Sequence, residues 1–276
     1  MKNWFIALGA LGLLSAAPLV QASPQQDYQQ LKKLYQERFP GVTFKDYGYG
    51  AYALDKGLMA QFQAAMEFNP GDMALDEGKQ LWDKPFANGK AYASCYPNGG
   101  KGVATGYPRY DEKLKTVVTL PMTLNMCREA NGEKPLPYGK PEIVALETYL
   151  KSLSNGMPIN VKVSGKEALA KYEAGKAYYN ARRGQLNFSC ATCHVQNAGK
   201  MIRADLLSPM MGQANHFPTY RGAWNRVGTI QDRYRGCNSQ VRAKPEDFES
   251  ENYRNLEYYH TYMSNGIPIE VPGYRK

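Results

Sequence analysis

The sequence predicts a mainly α-helical chain built as two tandem copies of one unit, and three observations carry that reading. The first is a repeat: Leu146-Glu147-Thr148-Tyr149 through Ser154-Asn155-Gly156-Met157-Pro158-Ile159 returns 110 positions later as Leu256-Glu257-Tyr258-Tyr259 through Ser264-Asn265-Gly266-Ile267-Pro268-Ile269. The same offset takes Pro108 and Tyr110 to Pro218 and Tyr220, Val117 and Thr119 to Val227 and Thr229, and Cys127 to Cys237. Upstream, Gly78-Lys79 matches Gly175-Lys176 and Ser94-Cys95 matches Ser189-Cys190. The second observation is helical periodicity: Ile143, Leu146, Tyr149, Leu150 and Leu153 share one face, and Asn155-Gly156 stops the run. The third is Cys190-Ala191-Thr192-Cys193-His194, whose two thiols suit thioether bonds to haem vinyl groups and whose imidazole suits the iron. Each unit, of about 100 residues, is therefore expected to be cytochrome c-like.

In chain order, Lys2, the apolar run Trp4 to Leu14 and Val20-Gln21-Ala22 read as a secretory signal over 1–22, cut after Ala22, which predicts export to the periplasm. The apolar run is too short for a bilayer span and no second one follows, so no membrane span is expected. Residues 23–163 should form the first cytochrome c-like domain. Helices are expected at Gln29–Glu37 and around Leu58–Phe68, and Asn69-Pro70-Gly71-Asp72 is a turn leading into another. Arg109–Met126 reads as loop-rich, and Pro141–Leu153 as the helix that closes the copy. The boundary falls at Val161–Gly165, and residues 164–276 form the second domain, opening with Lys166-Glu167-Ala168-Leu169. Met201–Arg226 again reads as loop, and Asn252–Met263 as the closing helix. These closing helices are expected to pack across the helix that opens each copy.

Lys plus Arg exceed Asp plus Glu by nine, which suits an anionic ligand or an acidic partner. The basic residues are scattered and no nucleic-acid motif accompanies them, so no nucleic-acid binding is expected. Arg182, Arg183, Lys200 and Arg203 flank the haem pentapeptide and form either a docking face or an ordinary solvated surface. Among common residues only tyrosine is over-represented, with 21.

Five cysteines in an oxidising compartment cannot all pair with one another. A thioredoxin-like reading of Cys190-x-x-Cys193 leaves His194 unexplained and lacks a βαβ pattern. In the first copy the haem pentapeptide has decayed: Asn98 stands where the second thiol would be and Gly99 where the histidine would be. One haem c is therefore expected, in the second domain, and none in the first. Cys95 and Cys127 are left facing one vacated pocket, and a disulfide between them is expected. Cys237 is then the odd thiol, in Arg233-Tyr234-Arg235-Gly236-Cys237-Asn238. The iron's sixth position can be met by Cys237 as thiolate, aided by Arg233 and Arg235, or by Met201, Met210, Met211, Met263, His216 or His260. A plainly packed cysteine is the remaining reading.

At Arg233-x-x-x-Cys237-Asn238 the whole chain after the signal resembles the SoxA-type cytochromes of the thiosulfate-oxidising Sox system, in the form that keeps a haem only in the second domain. The resemblance implies His194 and Cys237 as the two iron ligands, a Cys237 sulfur that can carry an extra sulfur, and Arg233 as the residue that receives the anion. It implies an L-cysteine S-thiosulfotransferase that joins thiosulfate oxidatively to a cysteine of a SoxYZ-type carrier. Electrons would leave through a small SoxX-type cytochrome subunit to a downstream electron-accepting cytochrome. Two other functions are compatible with the motifs: a plain electron-transfer cytochrome, and a thiosulfate dehydrogenase that makes tetrathionate. The latter normally keeps two intact haem motifs.

Overall fold

A computed structural model describes residues 23–276; the signal expected at 1–22 lies outside the described residues. Ser23 and Gln26 form a reciprocal capping box that starts helix α1 (Pro24–Arg38), with Pro24 in the first turn, where its missing N–H costs nothing. A 3₁₀-rich segment (Lys45–Leu54) follows, then α2 (Lys56–Met66), capped by Asp55, and α3 (Asp72–Asp83). The hairpin β1 (Arg109–Asp111) and β2 (Thr116–Val118) leads into α4 (Leu120–Ala130), and α5 (Pro141–Ser152) completes the first repeat. In the second repeat the order is α6 (Lys166–Asn180), the short hairpin β3 (Met201–Ile202) and β4 (Asp205–Leu206), β5 (Thr219–Arg221), β6 (Arg226–Gly228), α7 (Ile230–Gln240), α8 (Glu251–Tyr262) and β7 (Gly273–Arg275).

The repeat read from the sequence is a repeat of geometry. Strand β1 pairs with β2 through Arg109↔Val118 and β5 with β6 through Thr219↔Gly228, the same register 110 residues apart. Lys115 and Asn225 turn the two hairpins with φ of 52° and 50°. Thr119 caps α4 and Thr229 caps α7. The expected crossings of opening and closing helices are present and are set by glycine. A Cβ on Gly78 of α3 would lie 2.0 Å from the Ala145 carbonyl oxygen of α5, and one on Gly175 of α6 would lie 1.9 Å from the Asn255 carbonyl oxygen of α8. Ala145 and Asn255 are themselves 110 apart, so each backbone crossing uses the same two positions and closes only because no Cβ intervenes.

The repeated Ser-Asn-Gly-x-Pro-Ile segments do more than end two helices. They meet each other: Gly156 N donates to Ile269 O, Ile159 N to Ile267 O, Gly266 N to Ile159 O and Ile269 N to Met157 O. The Asn155 side chain bonds the Val271 backbone in both directions, and Asn265 does the same to Val161. The two halves thus share a pseudo-twofold seam in which every bond has its counterpart.

One expectation needs correction. Arg109–Met126 is not loop-rich: it holds the β1–β2 hairpin and most of α4, whereas Met201–Arg226 is loop-rich as expected, interrupted by the short strands β3 to β5. Strands of two or three residues are too short to show a period of two, and the α4 face is obscured by its mixture of polar and apolar residues. The N-terminal segment also packs on the second repeat. Tyr47 O approaches Gly212, Gly48 approaches Asn215 and Ile267, and Phe39 rests on Gly199.

Candidate haem and sulfur site

The pentapeptide lies between α6 and the β3–β4 hairpin, and hydroxyl groups fix its entry. Ser189 Oγ accepts from Thr192 N at 3.0 Å and sits 2.9 Å from Thr192 Oγ1, which in turn accepts from Ser189 N. Asn197 Nδ2 donates to Thr192 O at 2.8 Å, closing a wide helical turn over Thr192–Gln196. Cys190 and Cys193 are unpaired and partly buried. His194 Nδ1 lies 2.9 Å from Ser208 O and 2.7 Å from Gln213 Nε2. A proton on Nδ1 that bonds Ser208 O leaves Nε2 as the free, neutral donor that an iron requires. Burial, helped by the charge of Arg233, pulls this imidazole down to about 4. The His194 carbonyl accepts from Tyr35 OH at 2.5 Å and from Met210 N at 3.0 Å, so α1 holds the ligand's backbone from outside both repeats.

Helix α7 delivers the opposite wall. Thr229 and Asp232 cap it reciprocally, and Arg226 pairs with Asp232 at 2.7 Å. Arg233 and Cys237 are four residues apart and therefore share one face. Burial first, and then the charge of a thiolate at Cys237, raise the pKa of both Cys190 and Cys193, so Cys237 stands near enough for each to feel its charge. Arg233 makes no side-chain hydrogen bond or ion pair with any described residue and is partly buried. Arg235 is directed elsewhere: it bonds Glu246 O and lies over the Phe248 ring at 4.7 Å. Its expected help to Cys237 is therefore not available.

Most other candidate ligands are otherwise engaged, but the buried Nε2 of His260 has no partner among the described residues. His216 is buried between Asn215 Oδ1 and Arg275. Met201 is 61% exposed on β3, Met210 sits on the His194 side, and Met211 and Met263 are core residues. His260 is bound through Nδ1 to Tyr234 OH at 2.9 Å.

Sequence reasoning missed Arg221. It ends β5, stacks on Trp224 at 5.0 Å and stands opposite Arg275 of β7 in the parallel register. Burial and then the nearby Arg233 pull its guanidinium down to about 10, Cys237 opposes that shift, and its buried Nε has no partner among the described residues. The signal was present in the repeat: at the positions of Arg221 and Arg233 the first copy has Asp111 and Thr123. Both cationic positions belong to the second copy alone.

In the first repeat the corresponding space is closed. Cys95 and Cys127 are joined by a disulfide with Cα atoms 5.9 Å apart. Trp82 stacks on Tyr92 and Tyr96 at 5.6 and 5.4 Å between ring centroids, and Tyr96 OH bonds Thr123 Oγ1 at 2.9 Å.

The second-repeat residues fit a covalent haem: two free thiols at the required spacing, an imidazole with Nδ1 already bound, a facing sulfur, and buried polar atoms without partners at Arg221 Nε and Tyr179 OH. Fold and site together define a c-type cytochrome. Comparison with known proteins narrows this: the family described as SoxA/TsdA, cytochrome c domain, matches residues 77–159 and 174–269, and the chain belongs to it. It is 44% identical to the L-cysteine S-thiosulfotransferase subunit SoxA of Chlorobaculum tepidum, over 97% of this chain and 96% of that one. It is 42% identical to the subunit of the same name from Allochromatium vinosum, over 95% and 94%. A chain in the crystal structure of SoxXA from P. pantotrophus superposes with a TM-score of 0.70 at 35% identity, covering 75% of this chain and 79% of that one.

Proposed function

We propose that this protein is the L-cysteine S-thiosulfotransferase subunit of a SoxXA-type complex, and that Cys237 is its reacting sulfur. The observation that carries the reading is the common face of Arg233 and Cys237 on α7, with Arg221, whose buried Nε has no partner, near both, and with Cys190 and Cys193 near enough to feel a Cys237 thiolate. His194 and Cys237 hold the iron, and Cys190 and Cys193 the porphyrin. The haem, when bound, accepts electrons one at a time.

Arg221 and Arg233 hold the two negative charges of thiosulfate and direct its outer sulfur to Cys237 Sγ. A sulfur–sulfur bond forms between the Cys237 thiolate and that sulfur, and two electrons leave. A carrier thiolate of the SoxYZ type then attacks the same sulfur, and Cys237 departs as thiolate. Since two electrons exceed one haem's capacity, a partner cytochrome of the SoxX type takes part, and a downstream cytochrome receives them.

The filled first-repeat pocket supports one haem, held in residues 164–276, with residues 23–163 as a cytochrome c-like domain that has lost its own. A leader at 1–22 would place the protein in the periplasm. Among the described residues no helix is long and apolar enough to cross a membrane.

The test is Cys237→Ala in the holoprotein complex, assayed for thiosulfate-dependent mass gain on a carrier cysteine, beside peptide mass spectrometry of the wild type. The proposal expects one haem on the Cys190–Cys193 peptide, sulfur adducts on the Cys237 peptide and no conjugation by the variant. Conjugation at the wild-type rate would remove Cys237 from the chemistry.

A further inference from the structure

The sulfur chemistry at Cys237 uses no tyrosine, yet tyrosines crowd the second repeat, and their rings form an ordered file. Tyr234 lies one turn before Cys237 on α7, and its hydroxyl is 2.9 Å from His260 Nδ1. From the His260 ring the centroid spacing is 5.6 Å to Tyr179, then 5.6 Å to Tyr259, 5.2 Å to Tyr172, 5.4 Å to Tyr262 and 6.5 Å to Tyr28. The inner members are buried, whereas Tyr262 and Tyr28 line an open groove of about 590 Å³ on the outer side of the seam.

Proton acceptors accompany the file. His260 serves Tyr234, and Asp27 Oδ2 accepts from Tyr172 OH at 3.0 Å. Burial keeps the His260 imidazole neutral and able to accept.

The first repeat supplies an internal control. At the positions of Tyr234 and His260 it has Leu124 and Leu150, both fully buried. The fold therefore packs two leucines there without difficulty, and burying a phenol–imidazole pair instead gains it nothing. The pair occurs only in the copy that holds haem and the reactive sulfur.

We propose that Tyr234–His260 and the tyrosines leading to Tyr28 are a hole-transfer path that carries single oxidising equivalents from the haem pocket to the surface and so spares Cys237. The oxidant is a hydroperoxide, which takes two electrons and two protons to become an alcohol and water. Each electron is drawn from Tyr234, whose phenolic proton passes to His260 Nδ1, leaving a neutral phenoxyl and an imidazolium. The phenoxyl is refilled by an electron passed along the ring file, and the proton returns from His260. At Tyr28 or Tyr262 a soluble thiolate supplies each electron, the two thiyl radicals so formed pair as a disulfide, and the two protons taken up by the peroxide come from solvent. Without this path the nearest easily oxidised atom is the Cys237 sulfur, whose sulfinic state is irreversible. The inference needs the haem but is independent of which anion the site accepts.

The experiment exposes the holoprotein to limiting hydrogen peroxide with a nitrone spin trap and maps adducts and Cys237 over-oxidation by peptide mass spectrometry. Wild type is compared with Tyr172→Phe, with the double variant Tyr234→Leu/His260→Leu, which installs the first repeat's own residues, and with Tyr220→Phe as an off-path control. Adducts at Tyr28 or Tyr262 in the wild type and the control are expected to fall at least fivefold in both path variants, while Cys237 sulfinate rises at least threefold. Tyr172→Phe, remote from the sulfur, should still conjugate thiosulfate at the wild-type rate, separating path loss from damage to the site. Equal adduct yields and equal Cys237 oxidation in the path variants and the wild type would overturn the proposal.

Discussion

Replacing Arg221 by methionine should make the anion-free protein more stable and the enzyme much worse. Burial pulls this guanidinium from its ordinary value down to about 10. Holding it charged at neutral pH therefore costs the fold about 3 kcal/mol, since each unit is worth about 1.4. The lowered pKa sets the sign: the charged form is the disfavoured one, so the cost is present at all pH values below about 10 and disappears only at still higher pH, where the unfolded chain also deprotonates. Methionine fills a similar volume without charge and forfeits the stacking on Trp224, worth about 0.5–1 kcal/mol. A net gain of about 2 kcal/mol should appear in denaturant unfolding of the holoprotein. A bound dianion offsets the same cost in the wild type, so thiosulfate or sulfate should stabilise the wild type and leave the variant nearly unmoved. Loss of a charge-assisted bond of about 2–3 kcal/mol should cut kcat/KM for conjugation by about 30- to 150-fold. A variant less stable than wild type, with an unchanged response to thiosulfate, would refute this account of Arg221.

Gly175→Ala and Gly78→Ala drive a methyl into a backbone carbonyl within 2.0 Å, so each should lose about 3 kcal/mol or more by denaturant titration; Gly106→Ala, with nothing within 4 Å, should stay within about 1. Burial, followed by Glu257, raises the Glu249 carboxyl to about 8, so its stabilising effect is complete below about 4.5 and is lost as pH rises through 8. Glu249→Gln keeps one carbonyl acceptor for Gln231, can donate its amide to the Thr119 hydroxyl, and removes the charge felt by Glu257 and Arg254, so the fall in stability between pH 4.5 and 8 should shrink in pH-dependent melts. Replacing Cys95 and Cys127 by serine opens a loop of 32 residues and should cost about 3–4 kcal/mol while leaving haem content unchanged.

The haem pentapeptide, the repeat and the Arg233–Cys237 spacing were legible because each is local in sequence or recurs at a fixed offset. The closing helices were legible because α5 and α8 bury broad stripes and end at Asn-Gly. Helices α4 and α7 were not, although they carry Cys127, Arg233 and Cys237. Their exposed faces mix Met, Arg, Asn and Gln, and their starts depend on threonine caps at the end of three-residue strands. The role of Ser-Asn-Gly-x-Pro-Ile was hidden for a different reason. Its partner is its own copy 110 residues away, and no local pattern announces pairing across that distance. Arg221 was hidden because a single arginine in a basic chain carries no signal until it is set against Asp111.

That last comparison shows how the two repeats divide their work. The seam bonds Asn155 to Val271 and Asn265 to Val161 alike, and the two helix crossings use equivalent glycines, so the scaffold has stayed symmetric. Several departures from symmetry gather at one site. Cys193, His194, Arg221, Arg233, Tyr234 and His260 replace Asn98, Gly99, Asp111, Thr123, Leu124 and Leu150. The N-terminal helix, which belongs to neither repeat, places Tyr35 on the His194 carbonyl and Arg38 on that of Val195. The first repeat fills its own pocket with Trp82, Tyr92 and Tyr96 and thereby remains a rigid support. A symmetric frame with one asymmetric site lets buried cations and a phenol–imidazole pair accumulate where chemistry needs them, because the stability they cost is supplied by a second core that carries none.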